Sequence, residues 1–271
     1  MLYNNTNLSN NCIFHYNNKD YIISKKESLF IDKHFLTYHY KYIDNGYDKL
    51  IIMLNGAINR DIAKFPIFQR SSWAEEIQAN LLFIDDPTVN ESNNLKIGWY
   101  LGSSQENAQY IIVNFLKSFF DFLNFDKKEI YIFGSSAGGF AALMLGIHLG
   151  INIIVNNTQT VILNYSQSFV DQLINEAFDN MPKEEFKEKY KNRINVLNLL
   201  DHTKIYNNIY YYQNIYDLEH YNLHYTPFIQ KYIKDFIETD KLNVYLYSNS
   251  VEGHNPMSKK HTIHMLNNIV K

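Results

Sequence analysis

Three residue types that together make an alcohol reactive stand far apart in this chain. Gly134-Ser135-Ser136-Ala137-Gly138 fits G-x-S-x-G with Ser136 at the centre. The pentapeptide directly follows the apolar run Glu129-Ile130-Tyr131-Ile132-Phe133 and directly precedes GGFAALMLGIHLG, a stretch rich in small residues and expected to be a buried helix. A serine at such a strand-to-helix turn is lifted above the carboxyl edge of a sheet. The flanking glycines let the backbone close tightly, and the helix aims its free N–H groups at the hydroxyl. A glycine-rich turn without chemistry is the plainer alternative. A phosphate-cradling loop would need a Walker lysine or G-x-G-x-x-G spacing, which Gly134, Gly138 and Gly139 do not supply.

A serine hydroxyl is a poor nucleophile at neutral pH and needs a base within hydrogen-bond reach, itself steered by an acid. Behind such a turn the chain order is serine, carboxylate, histidine. Of the ten histidines, His254 lies in the loop after the expected final strand LNVYLYS, where Gly253 gives the backbone freedom. Read without chemistry, it is a solvated loop histidine. The acid should follow the preceding strand, Ile209-Tyr210-Tyr211-Tyr212. Asp217 is the best placed carboxylate, with Glu219 in reserve, while Asp201 precedes the strand and falls at the wrong edge. Asp217 could instead be a helix N-cap. The pair His220/His224 has a metal-compatible i, i+4 spacing but no supporting carboxylate cluster, so no metal site is expected. His261 and His264 read as a surface pair.

The oxyanion formed on an attacked carbonyl needs two fixed donors. One is expected from the backbone N–H of Ala137, directly after the nucleophile. The second is expected from the loop Leu54-Asn55-Gly56-Ala57, with Ala57 first and Gly56 next, although a plain strand-ending turn reads equally well there. Arg60, Lys64 and Arg70 follow that strand and could meet a pyrophosphate, but no phosphate-binding signature stands out and the cofactor-binding residues stay unknown.

These residues need a sheet to position them. Leu50–Leu54, Leu81–Ile84, Glu129–Phe133, Ile151–Val155, Ile209–Tyr212 and Val244–Tyr247 read as short buried strands, separated by helical stretches such as SQENAQYIIVNFLKSFFDFLNF. That alternation predicts an α/β fold with a mainly parallel central sheet and helices on both faces. The stretch 156–207, which includes the charged helix MPKEEFKEKYKN, is too long for a simple crossover and reads as an inserted cap on one domain spanning 1–271. Residues 1–48 read as a strand-rich extension. Within it, 1–12 form a polar arm, CIFHY and YIIS form a hairpin turning on Asn17-Asn18-Lys19-Asp20, and FLTYHYKYI forms a half-buried strand.

Composition narrows the partners. At 46% hydrophobic and 20% charged residues, the 271-residue chain is neither a disordered tail nor collagen-like, and it is long enough for a full core. A net charge of −3 argues against a nucleic-acid partner. Cys12 is the only cysteine, which excludes a disulfide framework and a thiolate zinc cluster and suits the cytoplasm. The N-terminal residues lack the basic and apolar regions of a signal peptide, and no apolar run approaches the ~20 residues of a membrane span. The abundance of tyrosine, phenylalanine, asparagine and isoleucine is read as codon bias rather than as a sugar-stacking surface.

The run YIFGSSAGGFAALMLGIHL with INIIVNNTQ, then YYYQNIYDLEHYNLH, then SVEGHNP resembles the capsular polysaccharide O-acetyltransferases of the α/β-hydrolase type. The resemblance spans residues 50 to 270, is densest around Ser136, and finds no counterpart for the chain before residue 48. It implies an α/β-hydrolase fold with an inserted helical cap. It also implies a Ser136–His254–Asp217 triad that passes acetyl from acetyl-CoA to a hydroxyl of a polysaccharide or oligosaccharide, with no permanently bound cofactor. The same triad would serve a carboxylesterase or deacetylase, and a catalytically silent hydrolase-like protein of glycan assembly is a third alternative. A homo-oligomer is left open.

Overall fold

The computed structural model describes residues 12–24, 26–205, 207–236 and 240–271. The expected polar arm therefore lies, apart from Cys12, outside the described residues. β1 (Cys12–Tyr16) and β2 (Lys19–Ile23) form the expected hairpin, but its turn is shorter. Only Asn17 and Asn18 lie outside the ladder, both left-handed at φ 49° and 58°, and Lys19 and Asp20 open β2. Two left-handed residues match the twist of the flanking strands, and asparagine tolerates that conformation.

β3 (Glu27–Lys33) and β4 (Thr37–Ile43) follow, and both bury alternate residues. Beyond them the chain alternates as expected through β5 (Leu50–Leu54), β6 (Asn80–Ile84), the short α1 (Pro87–Asn90), α2 (Ala108–Leu123), β7 (Ile130–Ser135), α3 (Ala137–Leu149) and β8 (Asn152–Asn156). Then come α4 (Gln167–Ala177), α5 (Lys183–Tyr190) and α6 (Val196–Leu200). The chain ends through β9 (Ile209–Asn214), α7 (Leu218–His220), α8 (Thr226–Phe236), β10 (Leu242–Tyr247) and α9 (Lys259–Ile269).

One eight-stranded sheet runs in the order β10-β9-β8-β7-β5-β6-β4-β3. The six strands from β10 to β6 are parallel, and β4 and β3 add an antiparallel edge. Strands β5 to β8 are buried along their whole length, as strands covered on both faces must be. Their side chains alternate between two cores. Ile52, Leu82, Ile132 and Ile153 face α2 and α3, whereas Ile51, Leu81, Phe133 and Ile154 pack in the second cluster with residues of α9. Tyr40 and Tyr42 of β4 pack on Phe115 and Phe119 of α2, so part of the tyrosine surplus is core.

Two features position the site. The chain leaves β5 for β6 on one side and returns to β7 on the other, so the carboxyl ends of β5 and β7 form the topological switch point at which sheets of this kind carry their sites. The stretch after β8 sends Ile162, Leu173, Phe178, Phe186 and Leu200 into the same core as α3.

Candidate active site

Ser136 stands between the last residue of β7 and the first of α3, at φ 53° and ψ −122°. A side chain is rarely held there unless its surroundings over-determine it. Here the packing does so. A Cβ on Gly134 would lie 2.1 Å from the carbonyl oxygen of Gly138, and one on Gly138 would lie 2.6 Å from that of Asn55. Both glycines of the motif are thus required by close backbone approach, and the second brings the end of β5 against the start of α3. The Ser136 carbonyl accepts from Gly139 and Phe140 N–H, and its own N–H donates to Asn156.

His254 and Asp217 arrive from distant elements as expected. The His254 Nε2 lies 3.0 Å from Ser136 Oγ, and its Nδ1 lies 2.7 Å from Asp217 Oδ2. Gly253, at φ 53°, supplies the turn into His254. Asn214 at the end of β9 clamps this loop, its amide donating to the carbonyls of Asn249 (2.7 Å) and Gly253 (2.8 Å). Asp217 also caps α7, accepting from His220 N–H, so the capping role and the contact with His254 coexist in one carboxylate. Glu219 and Asp201 are exposed, and Asp201 pairs with Lys231 away from the site.

The histidines that sequence reading set aside prove informative. His220 Nδ1 lies 3.1 Å from the second oxygen of Asp217, and its ring stacks on His254 at 3.9 Å. The side chain of Gln159, which sequence reading missed, contacts both His220 Nε2 (2.8 Å) and Ser136 Oγ (3.0 Å). The one available signal was the polar run Asn156-Asn157-Thr158-Gln159-Thr160, entirely buried straight after an apolar strand. Asn157 holds the His254 loop through contacts to Tyr247 and to the His254 and Asn255 carbonyls, and Thr160 N–H donates to His224 Nδ1.

Electrostatics follow from burial and these bonds. Burial alone would raise the Asp217 carboxyl, but hydrogen bonds from His220 and His254 outweigh it and hold the group well below the usual carboxylate range. Burial lowers His220 against the pull of Asp217, and lowers His224 to about 3 with His220 adding to the effect. Both stay neutral imidazoles at physiological pH. Asp217, His220 and His254 bring ligand atoms within 4.8 Å of one another. In that cluster each ring presents its Nδ1 to one oxygen of Asp217 at hydrogen-bond distance, 3.1 Å for His220 and 2.7 Å for His254.

In the loop after β5, Gly56 N–H already donates to Gln69 Oε1 (2.9 Å), whereas Ala57 is exposed. As the first residue of α3, Ala137 has no intrahelical acceptor for its N–H. The side chain of Asn55 ties this loop to Ile67 and Asp85. The three nearby cations differ. Arg60 donates to the carbonyls of Val89, Ser92 and Leu95 and so clamps a loop, Lys64 is exposed, and Arg70 reaches Ser135 Oγ at 2.7 Å over the Phe133 ring. Burial lowers Arg70 to about 10.

No family model and no curated protein matches the chain. Solved structures do. The capsule O-acetyltransferase of Neisseria meningitidis serogroup A superposes with a TM-score of 0.68 at 18% identity, covering 90% of this chain and 94% of that one. A variant of that enzyme in complex with CoA gives the same score and identity, at 90% and 95% coverage. An S-formylglutathione hydrolase from Agrobacterium tumefaciens superposes with a TM-score of 0.56 at 12% identity, covering 90% and 91%. With its β5/β7 switch point, its serine at the turn into α3 and these neighbours, the chain has the α/β-hydrolase fold.

Proposed function

We propose that the chain is a serine-dependent O-acetyltransferase that carries acetyl from acetyl-CoA to a hydroxyl of a bacterial surface polysaccharide. The observation that carries this reading is the unbroken hydrogen-bond line Ser136–His254–Asp217, with links of 3.0 and 2.7 Å. In the first half-reaction His254 Nε2 takes the Oγ proton as Oγ attacks the acyl carbon, and the carbonyl π electrons move onto oxygen. Collapse breaks the C–S bond, and the thiol leaves with the proton from His254. In the second half, His254 takes a proton from the acceptor hydroxyl, whose oxygen attacks the acyl carbon. The C–Oγ bond breaks and the proton returns to Oγ.

Asp217 keeps His254 in the tautomer whose Nε2 faces the serine. The Ala137 and Ala57 N–H groups are the oxyanion donors in this reading. Ala57 is favoured over Gly56, whose N–H already has an acceptor. The donor substrate is supported by the CoA complex of the similar enzyme, and the acceptor class by that enzyme being a capsule O-acetyltransferase. Segment 156–207 acts as the cap over the acceptor, and a cytoplasmic site of action fits both a lone cysteine and acetyl-CoA as donor.

A serine esterase is the second reading. It is favoured by the hydrolase neighbour and by the 37% exposure of the His254 side chain, which admits water. Incubation with acetyl-CoA, with and without oligosaccharide acceptors, separates the two. Thiol release that rises with an acceptor supports the transferase. Release indifferent to every sugar, alongside rapid cleavage of simple acetyl esters, supports the esterase. A fluorophosphonate probe should label the wild type and not Ser136→Ala.

A further inference from the structure

A carboxylate that accepts from two imidazoles has no equivalent in a linear triad. Donors and acceptors around it can be assigned one by one. The indole of Trp99 can only donate, and its Nε1 lies 3.2 Å from Gln159 Oε1, which fixes the orientation of the amide. Gln159 Nε2 therefore has two protons to give. One meets His220 Nε2 at 2.8 Å and the other meets Ser136 Oγ at 3.0 Å. His220 must then carry its proton on Nδ1, where it faces Asp217 Oδ1 at 3.1 Å. The result is a closed ring of hydrogen bonds through Ser136, His254, Asp217, His220 and Gln159, and every link has a matched donor and acceptor.

We propose that Gln159 is a further catalytic residue of the acyl transfer and that His220 is the residue that positions it, forming a second arm from Asp217 back to the nucleophile. Gln159 occupies one lone pair of Oγ and fixes its rotamer, while the O–H points at His254 and the other lone pair stays free for attack. When the acyl group later leaves Ser136, the C–Oγ bond breaks and negative charge develops on Oγ. The Gln159 N–H already lies on that atom, so charge is stabilised without reorganisation. His220 acts through Gln159 and Asp217. Its side chain is 2% exposed and it stacks on the working base at 3.9 Å, so it braces both arms at once. The arm rests on Ser136 being the nucleophile.

The test uses the full chain and the rate of fluorophosphonate labelling, which needs no natural substrate. Gln159→Met and His220→Phe keep the volume and remove the bonds. Each should lower the maximal labelling rate roughly tenfold to a hundredfold with little change in probe affinity. Residues that act as one arm are non-additive, so the double variant should fall no further than the slower single one. His220→Asn keeps an N–H for Asp217 but leaves Gln159 without its acceptor. It carries the test, with a smaller loss of rate, should His220→Phe fail to fold by thermal melting. Single variants that label at the wild-type rate, or losses that multiply in the double variant, would overturn the arm alone. An unlabelled wild type would remove the nucleophile and the arm with it.

Discussion

At the scale of single residues, chemistry here depends on carboxylates in opposite environments. Asp217 is buried yet ionised because two imidazole N–H groups reach it, and it shapes both rings. In Asp217→Asn one face of the side chain becomes a donor, so one imidazole must give up its tautomer. Labelling of Ser136 should then slow by about 10³ to 10⁴ while the fold persists, checked by probe kinetics beside circular dichroism. Asp85 and Asp86 behave in the reverse way. Burial lifts them from an ordinary value of 3.8 to about 7 and about 6, even though both accept hydrogen bonds. Their folded-state values lie above the unfolded ones, so the folded state holds the protons longer. The stability they confer is complete below about pH 4 and is lost as pH rises through about 6 to 7. Because Asp85 anchors Asn55 and Ile67, this titration bears on the loop after β5, which packs against the start of α3. The buried neutral His220 and His224 act in the opposite direction below about pH 6.5, so the Asp85 share is read as a difference: relative to wild type, Asp85→Asn should lose denaturant midpoint at pH 5 more than at pH 8.

Among the elements, the buried strap after β8 does more than connect. Its Asn156 and Asn157 reach Tyr247, Asn157 also reaches the His254 loop, Thr158 donates to the Ser136 carbonyl, and Gln159 donates to Ser136 Oγ. Asn157 also accepts from Asn214 N–H at 2.8 Å, so it joins the loop carrying His254 to the strand leading to Asp217. Asn157→Ala should destabilise the chain by about 1–3 kcal/mol, since buried partners are left unsatisfied. It should also slow labelling more than that loss of stability explains. Denaturation and probe kinetics on one sample separate the two effects. Much of this scale was legible beforehand. The apolar runs marked the parallel strands, and the glycines around Ser136 marked the elbow. β3 has little signal of its own, since Glu27–Lys33 is charged at both ends, buries Asp32 and offers an apolar run of only Leu29-Phe30-Ile31. The turn at Asn17-Asn18 is shorter than its polar residues suggest, because Lys19 and Asp20 pair in the ladder. Polar residues mark a turn's presence, whereas ladder register fixes its length.

Among the described residues, two cores lie on either side of one large sheet. Trp99 is buried in the first, and Trp73 packs against the second. Strands β5 to β8 serve both cores, so neither can open alone. Unfolding followed by tryptophan fluorescence should coincide with that followed by far-UV circular dichroism, and two separated transitions would contradict this coupling. Taken alone, the sequence determined where strands and helices alternate, which serine stands at the strand-to-helix turn, and which carboxylate and histidine follow it in chain order. Those features are local: they depend on periodicity, on small residues where backbones meet, and on short loops after strand ends. Only the tertiary structure decided that Asp217 meets two histidines and that Gln159 touches Ser136 Oγ. The same folding left Gly56 N–H already occupied. Such choices depend on which donors face which acceptors across tens of residues of chain, and no spacing in the sequence encodes a hydrogen bond between side chains that meet only when the sheet closes.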